Sequence, residues 1–261
     1  MGLLDGKVAL VSGLGPGLGR SVALAFAREG AAVVMAARRA DRMTGVAAEI
    51  TAMGGAALAR VTDLAHPQEC AALAEAARDE FGRVDVLVNN AFDTGAEYAP
   101  LAEADLDSWR RSMESTYWSA LGLTKSVVAV MRPQPAGRVV MIGSLATHRP
   151  QPTWGSYVGP KAALLGMVRL LAVELGPLGI RVNAVQPAHI FGPTVQAFFE
   201  STAAARGVPY DAVYDEAASD TALGYLPSSD EVAGAVLFFA CGLSDPVTGQ
   251  TLNVNAGAWL N

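Results

Sequence analysis

Short, continuously apolar runs alternate along this chain with longer segments whose apolar residues recur every three or four positions. The runs lie at 7–12 (KVALVS), 31–37 (AAVVMAA), 56–62 (AALARVT), 84–89 (VDVLVN), 138–143 (RVVMIG), 180–186 (IRVNAVQ) and 251–255 (TLNVN). Successive rather than alternate positions are apolar, as in strands covered on both faces. Between them the spacing predicts helices over about 18–29, 40–53, 67–82, 105–131, 154–176 and 229–241. Pro67 and Asp230 suit helix starts, and Gly30 and Gly54 suit stops. Strand and helix alternating in this way build a seven-stranded, doubly wound parallel sheet, with helices on both faces and right-handed crossovers. The stretch 188–228 interrupts the pattern and carries Phe191, Phe198, Phe199, Tyr210, Tyr214 and Tyr225. It is too long for a simple connection and reads as a partly helical substrate-binding lid, unless its rings only anchor it to the core.

Two local patterns add chemistry. The sequence SGLGPGLG occupies 12–19, between the first strand and the first helix. Glycines at Gly13, Gly15, Gly17 and Gly19, with Leu18 among them, let the backbone approach a pyrophosphate whose charge the helix N-terminus favours. At the end of the second strand an acidic residue would bind the adenosine ribose hydroxyls of NAD. Ala37 is followed instead by Arg38 and Arg39, and a guanidinium pairs with a 2′-phosphate in forked geometry. This favours NADP(H) over NAD(H). Further on, Tyr157 and Lys161 stand four residues apart on a predicted helix and so share a face. The ammonium is expected to lower the phenol's pKa from its usual value of about 10. Ser144 lies upstream, at the end of a predicted strand.

Composition narrows the function classes. The 261 residues are 51% hydrophobic and 17% charged, with a formal net charge of −6. That balance argues against a nucleic-acid surface, which draws its affinity from basic patches. Cys70 and Cys241 lack metal or redox spacing and read as small buried hydrophobes. The apolar stretch GAVLFFACGL is too short to span a bilayer, and MGLLDGKVALVSG has no leader pattern. A soluble cytoplasmic protein, with no membrane or nucleic-acid partner and no metal, is the expectation.

The glycine loop, Asp63, NNA at Asn89–Ala91, Ser144, Tyr157 with Lys161, RVNAVQP at 181–187 and TGQTLNVNAG at 248–257 together resemble the short-chain dehydrogenase/reductase family over essentially the whole chain. The resemblance implies one Rossmann-type α/β domain over 1–261, acting as an NAD(P)-dependent oxidoreductase that interconverts a ketone and a secondary alcohol on an apolar small molecule. It implies that Asp63 and Leu64 contact the adenine, and that Asn90 lies along the adenosine ribose, with Ala91 in the same cofactor-binding set. Ile190 would touch the nicotinamide carboxamide. Tyr157 would be the acid/base, Lys161 would support it and hold the nicotinamide ribose, and Ser144 would orient the substrate oxygen. Leu145, Gln151, Trp154, His189, Phe191 and the lid should line the substrate pocket; His148 and His189 are candidate substrate contacts. Pairing through the two long helices and the last strand implies a homotetramer.

The chain departs from the family pattern in places. Thr116 stands where the family places an Asn that holds a water beside the Lys. Phe92 replaces the glycine of NNAG, Thr194 falls two residues late in its loop, and Pro16 lacks the basic side chain common in NADP-preferring members. Thr116 in particular leaves room for a non-catalytic dinucleotide-binding sensor or assembly subunit of the same fold.

Overall fold

A computed structural model describes residues 2–92 and 98–260 of the chain. Seven strands form one sheet: β1 (Val8–Ser12), β2 (Ala32–Ala37), β3 (Ala57–Val61), β4 (Val86–Asn89), β5 (Gly137–Ile142), β6 (Ile180–Pro187) and β7 (Thr251–Val254). Their order is β3-β2-β1-β4-β5-β6-β7, and every pairing is parallel. All seven runs legible in the sequence are strands; β1, β4, β5 and β6 are buried almost throughout, as strands covered on both faces are, whereas β3 at the sheet edge leaves Ala59, Arg60 and Val61 exposed.

Helices α1 (Leu18–Arg28), α2 (Asp41–Ala52), α3 (Pro67–Phe81), α4 (Leu106–Met113), α5 (Ser119–Met131), α6 (Gly155–Leu175), α7 (Pro193–Arg206), α8 (Tyr210–Ser219) and α9 (Ser229–Ala240) connect the strands. One apolar core, with Val22, Phe26, Val46 and Val236, fills one face of the sheet. A second, with Leu73, Leu123, Val127, Leu164 and Val168, fills the other. Ser228 caps α9 reciprocally with Glu231, each side chain meeting the other residue's backbone N–H, which satisfies donors a helix start leaves free.

Two elements differ from the expectation. The single helix expected over 105–131 is divided by a π-helical turn at Glu114–Trp118, with Thr116 buried inside it. The 188–228 stretch contains α7 and α8, and its rings do not anchor it to the main core. Phe199, Ala203, Val213 and Leu226 form a separate small core, joined by Phe191, Tyr210 and Tyr214. Pro160 leaves α6 continuous from Gly155 to Leu175. Among the described residues no helix is long and apolar enough to cross a membrane.

Candidate active site

The strand order turns back between β1 and β4, so the chains leaving their carboxyl ends diverge and open a crevice. It continues into a cavity of about 1490 Å³ that reaches from the glycine loop to the lid. Gly13 holds φ +71°, and a Cβ there would sit 2.5 Å from the Ala91 backbone. A Cβ on Gly19 would come 2.6 Å from the Gly13 carbonyl oxygen. These two keep the loop tight against its neighbours. Gly15 and Gly17 face open space, with only the Ser229 Oγ 3.8 Å from a Cβ on Gly17. The hollow they leave lies at the amino end of α1, whose free N–H groups favour an anion. A dinucleotide pyrophosphate fits this cradle.

Each residue expected to bind cofactor borders the same cavity: Gly13, Gly15, Gly17, Leu18, Gly19, Arg38, Arg39, Asp63, Leu64, Asn90, Ala91, Tyr157, Lys161 and Ile190. Several are occupied in ways the sequence did not suggest. The Asn90 side-chain amide donates to the Gly13 carbonyl at 2.8 Å, and its backbone N–H donates to the Ser12 hydroxyl at 3.2 Å. Asn90 therefore straps the glycine loop to β4. Arg39 is engaged in a two-bond pair with Asp41, at 3.0 and 2.6 Å. Arg38 has no such partner among the described residues, and Arg42, unnoticed in the sequence, also borders the cavity. Asp63 accepts the Ala65 N–H at 3.1 Å in a local turn; it does not cap α3, which starts after His66.

The carboxyl end of β5 delivers Ser144, and α6 delivers Tyr157 and Lys161 one turn apart. The Ser144 Oγ accepts the Ala146 N–H at 3.2 Å and hydrogen-bonds the Tyr157 hydroxyl. It thus serves both as a cap for the short turn Leu145–Thr147 and as a partner for the phenol. Lys161 is fully enclosed, and its Nζ donates to the Ile142 carbonyl at 2.7 Å. The Phe92 ring centre lies 5.1 Å from that Nζ, within cation–π range.

The expected lowering of the phenol's pKa by Lys161 does not hold in this geometry. Burial pushes Tyr157 above the usual tyrosine value, and the hydrogen bond with Ser144 offsets part of the rise. Burial also pushes the Lys161 ammonium down to about 8. Desolvation acts on both groups at once, and the ammonium is directed to a backbone carbonyl.

Of the residues expected around the substrate, Leu145, Gln151, Trp154 and His189 border the cavity. Burial holds His189 below the ordinary histidine pKa. Phe191 does not border it: its ring meets Tyr214 at 5.3 Å within the lid's own core. His148 stacks on Trp259, 5.6 Å away and 11° from parallel. Thr194, at the start of α7, does border the cavity, as do Tyr98, Arg149 and Ala258, which sequence reasoning missed. Tyr98 belongs to no motif, and only the fold brings the region after β4 onto α6.

The chain belongs to the short-chain dehydrogenase/reductase family. The family described as enoyl-(acyl carrier protein) reductase matches residues 13–258. A 7α-hydroxysteroid dehydrogenase from Escherichia coli strain K12 is 34% identical over 254 residues, covering 97% of this chain and 94% of that one. A 3-oxoacyl-(acyl carrier protein) reductase from Salmonella typhimurium is 31% identical over 256 residues, 98% of each chain. The crystal structure of carveol dehydrogenase from Mycobacterium avium, in complex with NAD, superposes with a TM-score of 0.91 at 25% identity, covering 99% of both chains. Relatives of this chain are thus oxidoreductases of this family.

Proposed function

We propose that the protein is an NAD(P)-dependent alcohol dehydrogenase or ketoreductase that interconverts a ketone and a secondary alcohol on an apolar small molecule, working in the cytoplasm. The observation that carries this reading is the Tyr157 hydroxyl, joined to Ser144 and one helical turn from Lys161, in a cavity that begins at a phosphate-sized hollow. When bound, the nicotinamide supplies or accepts the hydride. The Ser144 and Tyr157 hydroxyls hold the substrate oxygen, and Tyr157 gives its proton to that oxygen in the reducing direction. Lys161, one turn along the same helix and with its Nζ held by the Ile142 carbonyl of β5, is placed in this reading to hold the nicotinamide ribose beside Tyr157. Oxidation runs the same transfers backwards.

NADP(H) is the favoured cofactor in this reading. Arg38 is exposed, unpaired among the described residues and beside the cavity at the end of β2, with Arg42 one turn further on. A 2′-phosphate meets cations there, although carveol dehydrogenase was solved with NAD. Arg38→Asp is expected to reverse the preference, read as kcat/KM with NADPH against NADH; a wild-type preference for NADH would overturn this part.

A panel of aryl, cyclic and β-dicarbonyl ketones, followed by NADPH and NADH oxidation, tests the activity itself. Tyr157→Phe is expected to lower turnover by about 10²–10⁴-fold. NADPH affinity, measured by fluorescence titration, should be nearly unchanged. Retention of most of the wild-type kcat would remove Tyr157 from this role.

A further inference from the structure

Aromatic rings gather around the Tyr157 phenol. The Phe92 ring lies 6.0 Å from it at 70°, and Trp154 lies 5.8 Å from it at 88°. Tyr98 extends the array, 5.5 Å from Trp154. All three neighbours border the cavity. Phe92 remains 43% exposed and Tyr98 50% exposed. Packing around Tyr157 therefore leaves much of these rings facing open space, and apolar surface left wet favours a ligand that covers it.

The backbone before Trp154 is strained. Thr153, just before it, holds φ 73°, an outlier for a β-branched residue. Such strain persists only where the surroundings over-determine it, and it concentrates at ligand clamps. The arginines on the lid side of the cavity are paired. Arg149 pairs with Asp220 at 3.2 Å, and Arg206 pairs with Glu216 at 2.7 Å. An anionic substrate would have to break one of these pairs, whereas a neutral one need not.

We propose that Phe92, Tyr98 and Trp154 form an aromatic subsite that seats a flat, uncharged, aryl-bearing ketone or alcohol, its oxygen against Ser144 and Tyr157. The proposal rests on the oxidoreductase reading above and names its substrate class. An edge-to-face ring contact favours an aryl group over a saturated ring of similar size by roughly two- to tenfold beyond area burial.

The test compares acetophenone with cyclohexyl methyl ketone in the wild type and in Trp154→Leu, so that intrinsic reactivity cancels within each ketone. Trp154→Leu is expected to reduce kcat/KM for acetophenone about fivefold more than for cyclohexyl methyl ketone. Phe92→Leu should act in the same direction and serves if Trp154→Leu does not fold. Independently of turnover, acetophenone should quench wild-type tryptophan fluorescence saturably, and a folded Trp154→Leu should lose that response. Equal losses on the two ketones, or no saturable quenching, would overturn the aromatic subsite while leaving the oxidoreductase reading in place. Saturable quenching without turnover of any ketone or alcohol, with either cofactor, would support the subsite and overturn the reading it rests on.

Discussion

Lys161 is an ammonium enclosed by protein with a carbonyl and a ring for company. With a pKa of about 8 in the folded chain, against 10.5 for the free side chain, it opposes folding. Below pH 8 both states carry the proton and the folded state bears the whole penalty, about 3 kcal/mol for a shift of this size. Between pH 8 and 10.5 the unfolded chain holds the proton that the folded chain has released, so this group's contribution makes stability rise with pH. Lys161→Met removes the penalty but leaves the Ile142 carbonyl without its donor, a loss of about 1–2 kcal/mol. The variant should therefore be inactive yet more stable than wild type by about 1–2 kcal/mol at pH 7. Its advantage should vanish as pH approaches 10. Denaturant unfolding at pH 7 and 9.5 checks this; a variant less stable at pH 7 would contradict it. A group kept in place against its own solvation is a mark of a working site. The spacing of Tyr157 and Lys161 made them legible in the sequence, but the sign of their pKa shifts was not, because desolvation belongs to the assembled fold.

At the scale of elements, one contact aims the catalytic helix. A Cβ on Gly155, the first residue of α6, would lie 2.1 Å from the Trp109 ring of α4. The absence of a side chain lets the two helices close where Tyr157 emerges. Gly155→Ala is expected to cost about 1–3 kcal/mol through overpacking. It should also lower kcat by displacing Tyr157. Adding Trp109→Leu should recover much of both, a coupling measured by a double-mutant cycle; additive losses would mean that the contact does not position the helix. Nothing in the sequence announces this glycine, since its partner is far along the chain. The π-helical turn was equally hidden: apolar spacing runs through 105–131 as if one helix were present, and a single extra residue in a turn leaves no periodic trace. Thr116 lies inside this turn. The central strands were readable because a doubly covered strand must be apolar throughout, and the edge strands β3 and β7, though partly exposed, kept enough apolar residues to show. The lid helices were not assigned, because their short apolar faces close on one another.

For the whole molecule, the surface bears on assembly. On the long helices expected to pair between subunits, Ala120, Val127 and Leu164 are buried in the chain's own core. The surplus is smaller than the sequence suggested, and it rests on Leu170 at 47%, Val173 at 76% and Trp118 at 53% exposure. A homotetramer remains the expectation, because such patches on long helices favour closed symmetric pairing. Light scattering at micromolar concentration should give about four times the 27.0 kDa of one chain. Val173→Glu should shift the mass downward, and a wild-type mass near 27.0 kDa would rule assembly out.

The lid's separate core carries a different consequence. Phe199, Ala203, Val213 and Leu226 pack among themselves and with lid rings, while the sheet's two cores lie elsewhere. Substitutions in α7 and α8 are thus energetically insulated from the scaffold that holds Ser144, Tyr157 and Lys161. Selection can redraw the outer wall of the cavity without renegotiating the fold, and one catalytic frame can pass from substrate to substrate along a lineage through changes in a single stretch of sequence.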